Sequence, residues 1–90
     1  MASIEKIKAE IAQIAQRRKN TTSSDIEWVV NQLKQNGYAV RSRSLSDGVL
    51  YGVGSVRFSV CTHNPGNKQV KPCYVDAFLE AMIEIGMYED

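Results

Sequence analysis

Residues 38–61 read YAVRSRSLSDGVLYGVGSVRFSVC, and apolar and polar side chains alternate along much of this stretch. An alternation with a period of two residues is typical of a half-buried β-strand. Two groups of turn-forming residues, Ser46-Asp47-Gly48 and Gly52-Val53-Gly54-Ser55, interrupt it. The stretch therefore predicts consecutive strands with short connections. Such strands form an antiparallel meander, with one face on the helices and the other in water.

A helix is predicted at the N-terminus. Ser3 can cap it, and it runs to about Arg18. Its apolar residues recur at intervals of three and four, and they are Ile4, Ile7, Ile11, Ile14 and Ala15. This stripe has two open interpretations. It packs on its own domain, or it contacts a helix of another chain and so assembles a homo-oligomer.

Two more helices are predicted, one before the strands in the sequence and one after them. Ser24-Asp25-Ile26-Glu27 has the pattern of a capping box for the second helix, with Ser24 as the N-cap. Gly37 suits the left-handed conformation that ends such a helix. The last helix begins at Pro72, whose missing N–H is harmless in the first turn, and ends at Gly86.

The predicted order of elements is α-α-β-β-β-α in a chain of 90 residues, which is the size of one domain. We therefore predict an α+β fold in which a three-stranded antiparallel sheet carries its helices on one face. Residues 1–18 form the amphipathic N-terminal helix, and residues 19–90 form the remaining α-β-β-β-α unit. That unit has the element order of a double-stranded-RNA-binding domain.

Composition excludes several classes of protein. No apolar run approaches the roughly 20 residues that span a bilayer, and the N-terminus lacks a secretory signal pattern. We therefore expect a cytoplasmic protein without membrane contact. In that reducing compartment Cys61 and Cys73 should be ordinary thiols. Their spacing with the single histidine matches no zinc pattern, and no glycine fingerprint for phosphate is present. No metal or cofactor is expected.

Charge is unevenly distributed, although the formal net charge is only +1. Between Lys34 and Lys71 the only acid is Asp47, whereas the chain after Pro72 carries acids and no base. This asymmetry fits a surface that faces a polyanion on one side. A mixed, solvated surface is the alternative interpretation.

The candidate RNA-binding residues are the cations of the basic region, namely Arg41, Arg43, Arg57, Lys68 and Lys71. Each arginine alternates with apolar residues on its own strand and should therefore point to the wet face. The lysines lie beside the sheet at the start of the last helix, where helix N-termini suit phosphate. Tyr51, or another aromatic residue on the open face, could stack on a base. A solvated sheet face would show the same pattern.

His63 is the candidate catalytic residue, because histidine alone exchanges protons near neutral pH without a large pKa shift. It could act as a general acid or base, bind a phosphate or a backbone group, or be a plain loop residue. Cys61 and His63 could also form a nucleophile pair, since residues two apart on a strand share a face. Such a pair needs an activated thiolate.

Two parts of the sequence resemble the HicA-type mRNA-interferase toxin family. The first is Lys19-Asn20 before a helix, followed by Gly37-Tyr38 and a strand through Val40-Arg41. The second is the run PGNKQVKPCYV at residues 65–75, followed by Phe78-Leu79. The family has a Gly-x-Lys-x-x-Lys-Pro run before its last helix. The resemblance covers residues 19–87 and leaves the N-terminal helix outside.

The resemblance implies a fold like the double-stranded-RNA-binding domain and a small ribonuclease toxin held inactive by an antitoxin partner. In the family a histidine within a Gly-Ser-His run carries the catalysis, because metal-free RNA cleavage needs a proton-transferring group. Here Gly48 falls at that position, and the similar run Gly54-Ser55-Val56 ends in valine. Neither residue can transfer a proton.

Three functions follow from these patterns. The first is a HicA-like protein with impaired catalysis that binds RNA or a regulatory, antitoxin-like protein through the sheet face. The second is an active mRNA endoribonuclease in which His63 moves the proton. The third is a protein-interaction module without a nucleic-acid role, which could assemble through the N-terminal helix.

Overall fold

The computed structural model describes residues 3–46, 48–61 and 69–89. The α+β prediction is confirmed: a three-stranded antiparallel sheet follows two helices and precedes a third. From α2 onward this order is compatible with that of a double-stranded-RNA-binding domain. The elements are α1 (Ile4–Gln16), a 3₁₀ turn (Arg18–Asn20), α2 (Ser23–Gln35), β1 (Val40–Ser44), β2 (Gly48–Val53), β3 (Val56–Cys61) and α3 (Pro72–Glu84).

The sheet has the strand order β1-β2-β3, with both neighbouring pairs antiparallel. Gly54 and Ser55 alone connect β2 to β3, and Gly54 has a φ of 60°, which a tight hairpin turn requires. Val53 therefore faces both Val40 and Val56 across the ladder, and all three side chains lie on the helix side. This register fixes which residues remain for the outer face.

The helix α1 shares the core of the domain. Ile7, Ile11 and Ile14 are fully buried, because α1 packs against both α2 and α3. The isoleucine stripe therefore packs on its own domain, which is the first of the two interpretations. Ile4 at the start of the stripe is 38% exposed. Within the described residues, no helix is long and apolar enough to cross a membrane.

The capping box of α2 lies two residues earlier than the sequence pattern indicated. Thr22, not Ser24, is the N-cap, and Asp25, not Glu27, completes the box. The Asp25 carboxylate accepts from the Thr22 N–H at 2.9 Å, and the Thr22 hydroxyl accepts from the Asp25 N–H at 3.4 Å. Arg17 adds an ion pair to Asp25 at 3.0 Å. The turn between α1 and α2 is therefore fixed by charge-assisted hydrogen bonds.

We expect Asp25→Asn to lower the stability of the fold by about 1 kcal/mol at neutral pH, because the amide loses the charge that strengthens the bond from the Thr22 N–H and the ion pair to Arg17. Partial burial raises the pKa of Asp25, but hydrogen bonds from Thr22 and Arg17 outweigh it, so the pKa lies below its ordinary value of 3.8. A lowered folded-state pKa stabilises the fold above about pH 4 and ceases to do so as the pH falls through it.

The melting temperatures of the two proteins, measured between neutral and acidic pH, test this. Their difference should be largest at neutral pH and should shrink below about pH 4, because Asp25 is then protonated in the parent protein. The other carboxyl groups titrate in both proteins, so their contributions cancel in the difference. A difference that is constant with pH would show that the Asp25 charge has no role.

Candidate nucleic-acid interface

The outer face of the sheet carries arginines in two neighbouring rows. Arg41, Gly52 and Arg57 lie directly opposite one another across the three strands. The next row on the same face is Arg43, Leu50 and Ser59. All three arginines are exposed, whereas Leu50 and Ser59 are half-buried. The prediction that the arginines point to the wet face is confirmed.

Gly52 makes the centre of the first row open. Adjacent strands are about 4.8 Å apart, so the Cα atoms of Arg41 and Arg57 are separated by about 10 Å. No side chain stands between them, because the residue at the centre is glycine. A Cβ added there would meet the Arg41 Cβ at 3.9 Å, which is ordinary contact. Two long guanidinium side chains can therefore approach the same ligand over bare backbone.

Among the described residues, no ion pair neutralises the positive charge of this face. The strands contain no Asp or Glu. The described residues show ion pairs only for Arg17 and Arg18, which contact acids on the helical side. Arg41, Arg43 and Arg57 are therefore available to an external anion, and guanidinium groups match phosphate oxygens with paired N–H donors.

The prediction that Tyr51 lies on the open face is wrong. Tyr51 is opposite Phe58 on the helix side, is only 9% exposed, and its ring centroid is 5.7 Å from that of Phe58. Burial, and then the charge of Glu27, raises the pKa of Tyr51. The described outer-face positions of the three strands include no aromatic residue. These strand positions therefore offer no aromatic ring on which a base could stack.

Of the predicted lysines and the predicted histidine, only Lys71 lies within the described residues. Lys71 is the residue before α3, and its N–H donates to the Cys61 carbonyl at 3.2 Å, so it lies at the edge of the sheet. Lys68 and His63 lie outside the described residues, and so the Cys61–His63 pair does too. Among the described residues, the structure thus brings the three predicted arginines together on one face.

The positions that resemble the family's catalytic site cannot hold a reactive histidine. A Cβ at Gly48 would lie 2.1 Å from the Val60 carbonyl oxygen and 2.8 Å from the Cys61 Cα. Both are backbone atoms, so the neighbouring strand would have to move. Val56 is 6% exposed and belongs to the core. At Gly48 any side chain is excluded, and at Val56 the side chain points away from the outer face.

The described residues contain no group of three or more His, Cys, Asp or Glu side chains that could hold a metal ion. Cys61 is buried and Cys73 exposed, and both are thiols. Searches against protein-family models, curated proteins and solved structures find no match to this chain. The HicA-type resemblance stays a prediction, and the chemistry must be argued from the side chains themselves.

Sequence reasoning missed Gly52 as part of the site, because it was interpreted only as a turn residue. The signal was present in the chain. A two-residue turn at Gly54-Ser55 places Val53 opposite Val56, and therefore Gly52 opposite Arg57. Counting back from the preceding turn likewise places Arg41 opposite Gly52.

Proposed function

We propose that this chain is an RNA-binding protein of the HicA type with impaired catalysis, which contacts RNA phosphates through the outer face of its sheet. The observation that carries the proposal is the cluster of three exposed arginines, Arg41, Arg43 and Arg57, on a sheet whose strands contain no acid. Uncompensated arginine clusters of this kind bind polyanions, and the strength of binding depends on salt.

The chemistry of the face favours contacts with the backbone over recognition of bases. Sequence-specific RNA recognition depends mainly on stacking of unpaired bases on aromatic rings or guanidinium planes, and on hydrogen bonds to base edges. The described strand positions of this face offer arginines, Ser59, Leu50 and bare backbone at Gly52. Phosphate contacts position a ligand but carry no sequence information, so binding should show little base preference.

The impaired catalysis rests on Gly48 and Val56, since neither position can present a proton-transferring side chain. An active mRNA endonuclease would depend on His63. An antitoxin-like protein remains a proposed partner of the same face. The alternative, an interaction module without a nucleic-acid role, predicts that the arginines bind no polyanion.

We expect the affinity for labelled RNA to fall steeply with salt. Three phosphate contacts give a slope of about −2 to −3 in a plot of log affinity against log salt concentration, which is about a 20- to 40-fold loss over a fourfold rise in salt. Fluorescence anisotropy with single-stranded and duplex RNA of two unrelated sequences measures this. No binding at low salt, or a flat slope, would contradict the proposal.

The same RNA should remain intact during these titrations. Gel analysis of the incubated RNA, with His63→Ala in parallel, separates binding from cleavage. Cleavage by the parent chain that disappears in His63→Ala would establish the endonuclease and overturn the impaired catalysis. Intact RNA that binds equally well to both proteins is the expected result.

A further inference from the structure

The strand β3 forms one edge of the sheet, and within the described residues no further strand pairs with it. The Lys71 N–H donates to the Cys61 carbonyl at 3.2 Å, so the backbone groups of Cys61 point away from β2. Because backbone groups alternate in direction along an antiparallel strand, those of Ser59 and Arg57 also point outward. No backbone bond to either residue occurs outside the β2–β3 ladder within the described chain. Such a row is a template for an added strand.

A groove runs between this edge and α3. Its volume is about 780 Å³. On the sheet side it is lined by Ser55, Val56 and Arg57, and on the helix side by Ala77, Glu80, Ala81, Ile83 and Glu84. Ala77 and Ala81 have small side chains and leave space in the groove, and the side chain of Ile83 is 41% exposed beside them. The groove is therefore shaped for side chains that hang from a strand placed beside β3.

The charges on the α3 side of the groove indicate which kind of added strand fits. The described lining of the groove has two exposed acids, Glu80 and Glu84, and one exposed cation, Arg57, so acids are in excess. None of the three belongs to an ion pair in the described part of the chain. Residues four apart on a helix have Cβ atoms about 6 Å apart. Alternate residues of a strand are about 6.8 Å apart on one face. Two cations at alternate positions of an added strand therefore match Glu80 and Glu84.

We propose that the free edge of β3, together with the Ala77-to-Glu84 stripe of α3, binds an extended basic segment of another protein by strand addition. A second copy of this chain fits poorly. A symmetric β3–β3 pair would bring the two α3 helices side by side and would place each Glu80 and Glu84 near the same acids of the partner copy. Like charges at such distances are destabilising.

A fluorescein-labelled peptide with alternating lysine and threonine, acetyl-TKTKTKT-amide, is the probe. At low salt we expect saturable binding to the full chain. Binding should weaken at least tenfold in the Glu80→Gln, Glu84→Gln double variant. A peptide in which alternate backbone nitrogens are methylated keeps its charge but cannot pair along one edge. It should bind at least tenfold more weakly. Equal binding of both peptides would overturn strand addition, and absence of binding would overturn the site.

Two proline variants locate the edge. Ser59→Pro removes an outward N–H of β3 and leaves the bonds to β2 intact, so an edge strand tolerates it. Ser42→Pro is the matched control on the opposite edge, since the Leu45 and Gly54 backbone bonds place Ser42 outward on β1. Only Ser59→Pro should lose peptide binding, and circular dichroism verifies that both variants fold.

Equal loss in both variants, or a dimer seen by sedimentation whose formation Ser59→Pro abolishes, would overturn the proposed occupant. The RNA-binding proposal is independent of this result, because Arg41 and Arg43 lie on β1 at the opposite edge of the sheet, and only Arg57 of the three arginines lines the groove. Arg41→Ala with Arg43→Ala should therefore leave peptide binding unchanged.

Discussion

Replacement of Arg41, Arg43 and Arg57 together by glutamate is expected to reduce RNA affinity at low salt by at least about 100-fold. Each charge-assisted phosphate contact contributes on the order of 1 kcal/mol or more, and reversed charges add repulsion. The three residues are exposed and have no ion-pair partner among the described residues, so their replacement leaves the core untouched. Anisotropy titrations with the same labelled RNA measure the loss, and thermal melting verifies the fold.

A variant with the same change in net charge is the control. Lys6, Lys8 and Lys34 are exposed residues of the helices α1 and α2. Their replacement by glutamate should weaken RNA binding only a few-fold, through the general field of the molecule. If both variants lose the same affinity, binding depends on total charge and the outer face has no special role. The single variants Arg41→Ala and Arg57→Ala should then show whether the row through Gly52 contributes more than Arg43.

Gly48→Ala is expected to destabilise the fold by about 3 kcal/mol, the upper part of the range for overpacking. The added Cβ would stand 2.1 Å from the Val60 carbonyl oxygen, and relief requires movement of β3 relative to β2. For a domain of this size the melting temperature should fall by roughly 12–24 °C. Differential scanning calorimetry or circular dichroism measures the shift.

Gly52→Ala is the matched control in the same strand. The added Cβ would lie 3.9 Å from its nearest neighbours, so the substitution should be neutral or should stabilise the fold by a few tenths of a kcal/mol. A similar melting temperature for both variants would show that the backbone contact at Gly48 is not limiting. The same contact predicts that Gly48→His unfolds the protein and does not create ribonuclease activity. This distinguishes a position that has merely lost its histidine from one whose backbone excludes any side chain.

The chain could be divided correctly into helices and strands because its periodicities are strong and its breaks are marked. Gly37 and Gly86 have φ values of 97° and 81°, as the ends of α2 and α3 require, and Pro72 occupies the first turn of α3. The start of α2 is predicted at Ser24, two residues later than the structure has it, because Ser24-x-x-Glu27 matches the capping-box pattern and local pattern does not include the contact with α1. Arg17, at the end of α1, donates a hydrogen bond to the Asp25 carboxylate and so stabilises the start of α2 after Thr22.

Tyr51 shows why the composition of a face is harder to predict than its existence. Val49, Leu50 and Tyr51 are consecutive apolar residues, so the sequence does not indicate which of them face the helices. Pairing with β3 decides which of them do, since Tyr51 lies opposite Phe58. The ring centroid of Phe58 is 5.3 Å from that of Phe78 in α3. Only Leu50 of these three points outward.

The sequence by itself determined the fold class, the turns and the alternation that sends Arg41, Arg43 and Arg57 to the wet side of the sheet, because these are local properties of backbone and side-chain period. Tertiary structure alone decided that the isoleucine stripe of α1 is buried within the domain and that Tyr51 belongs to the core. It also decided that Gly48 has no room for a side chain. Each of these depends on which distant residues come into contact, and local periodicity does not specify such contacts.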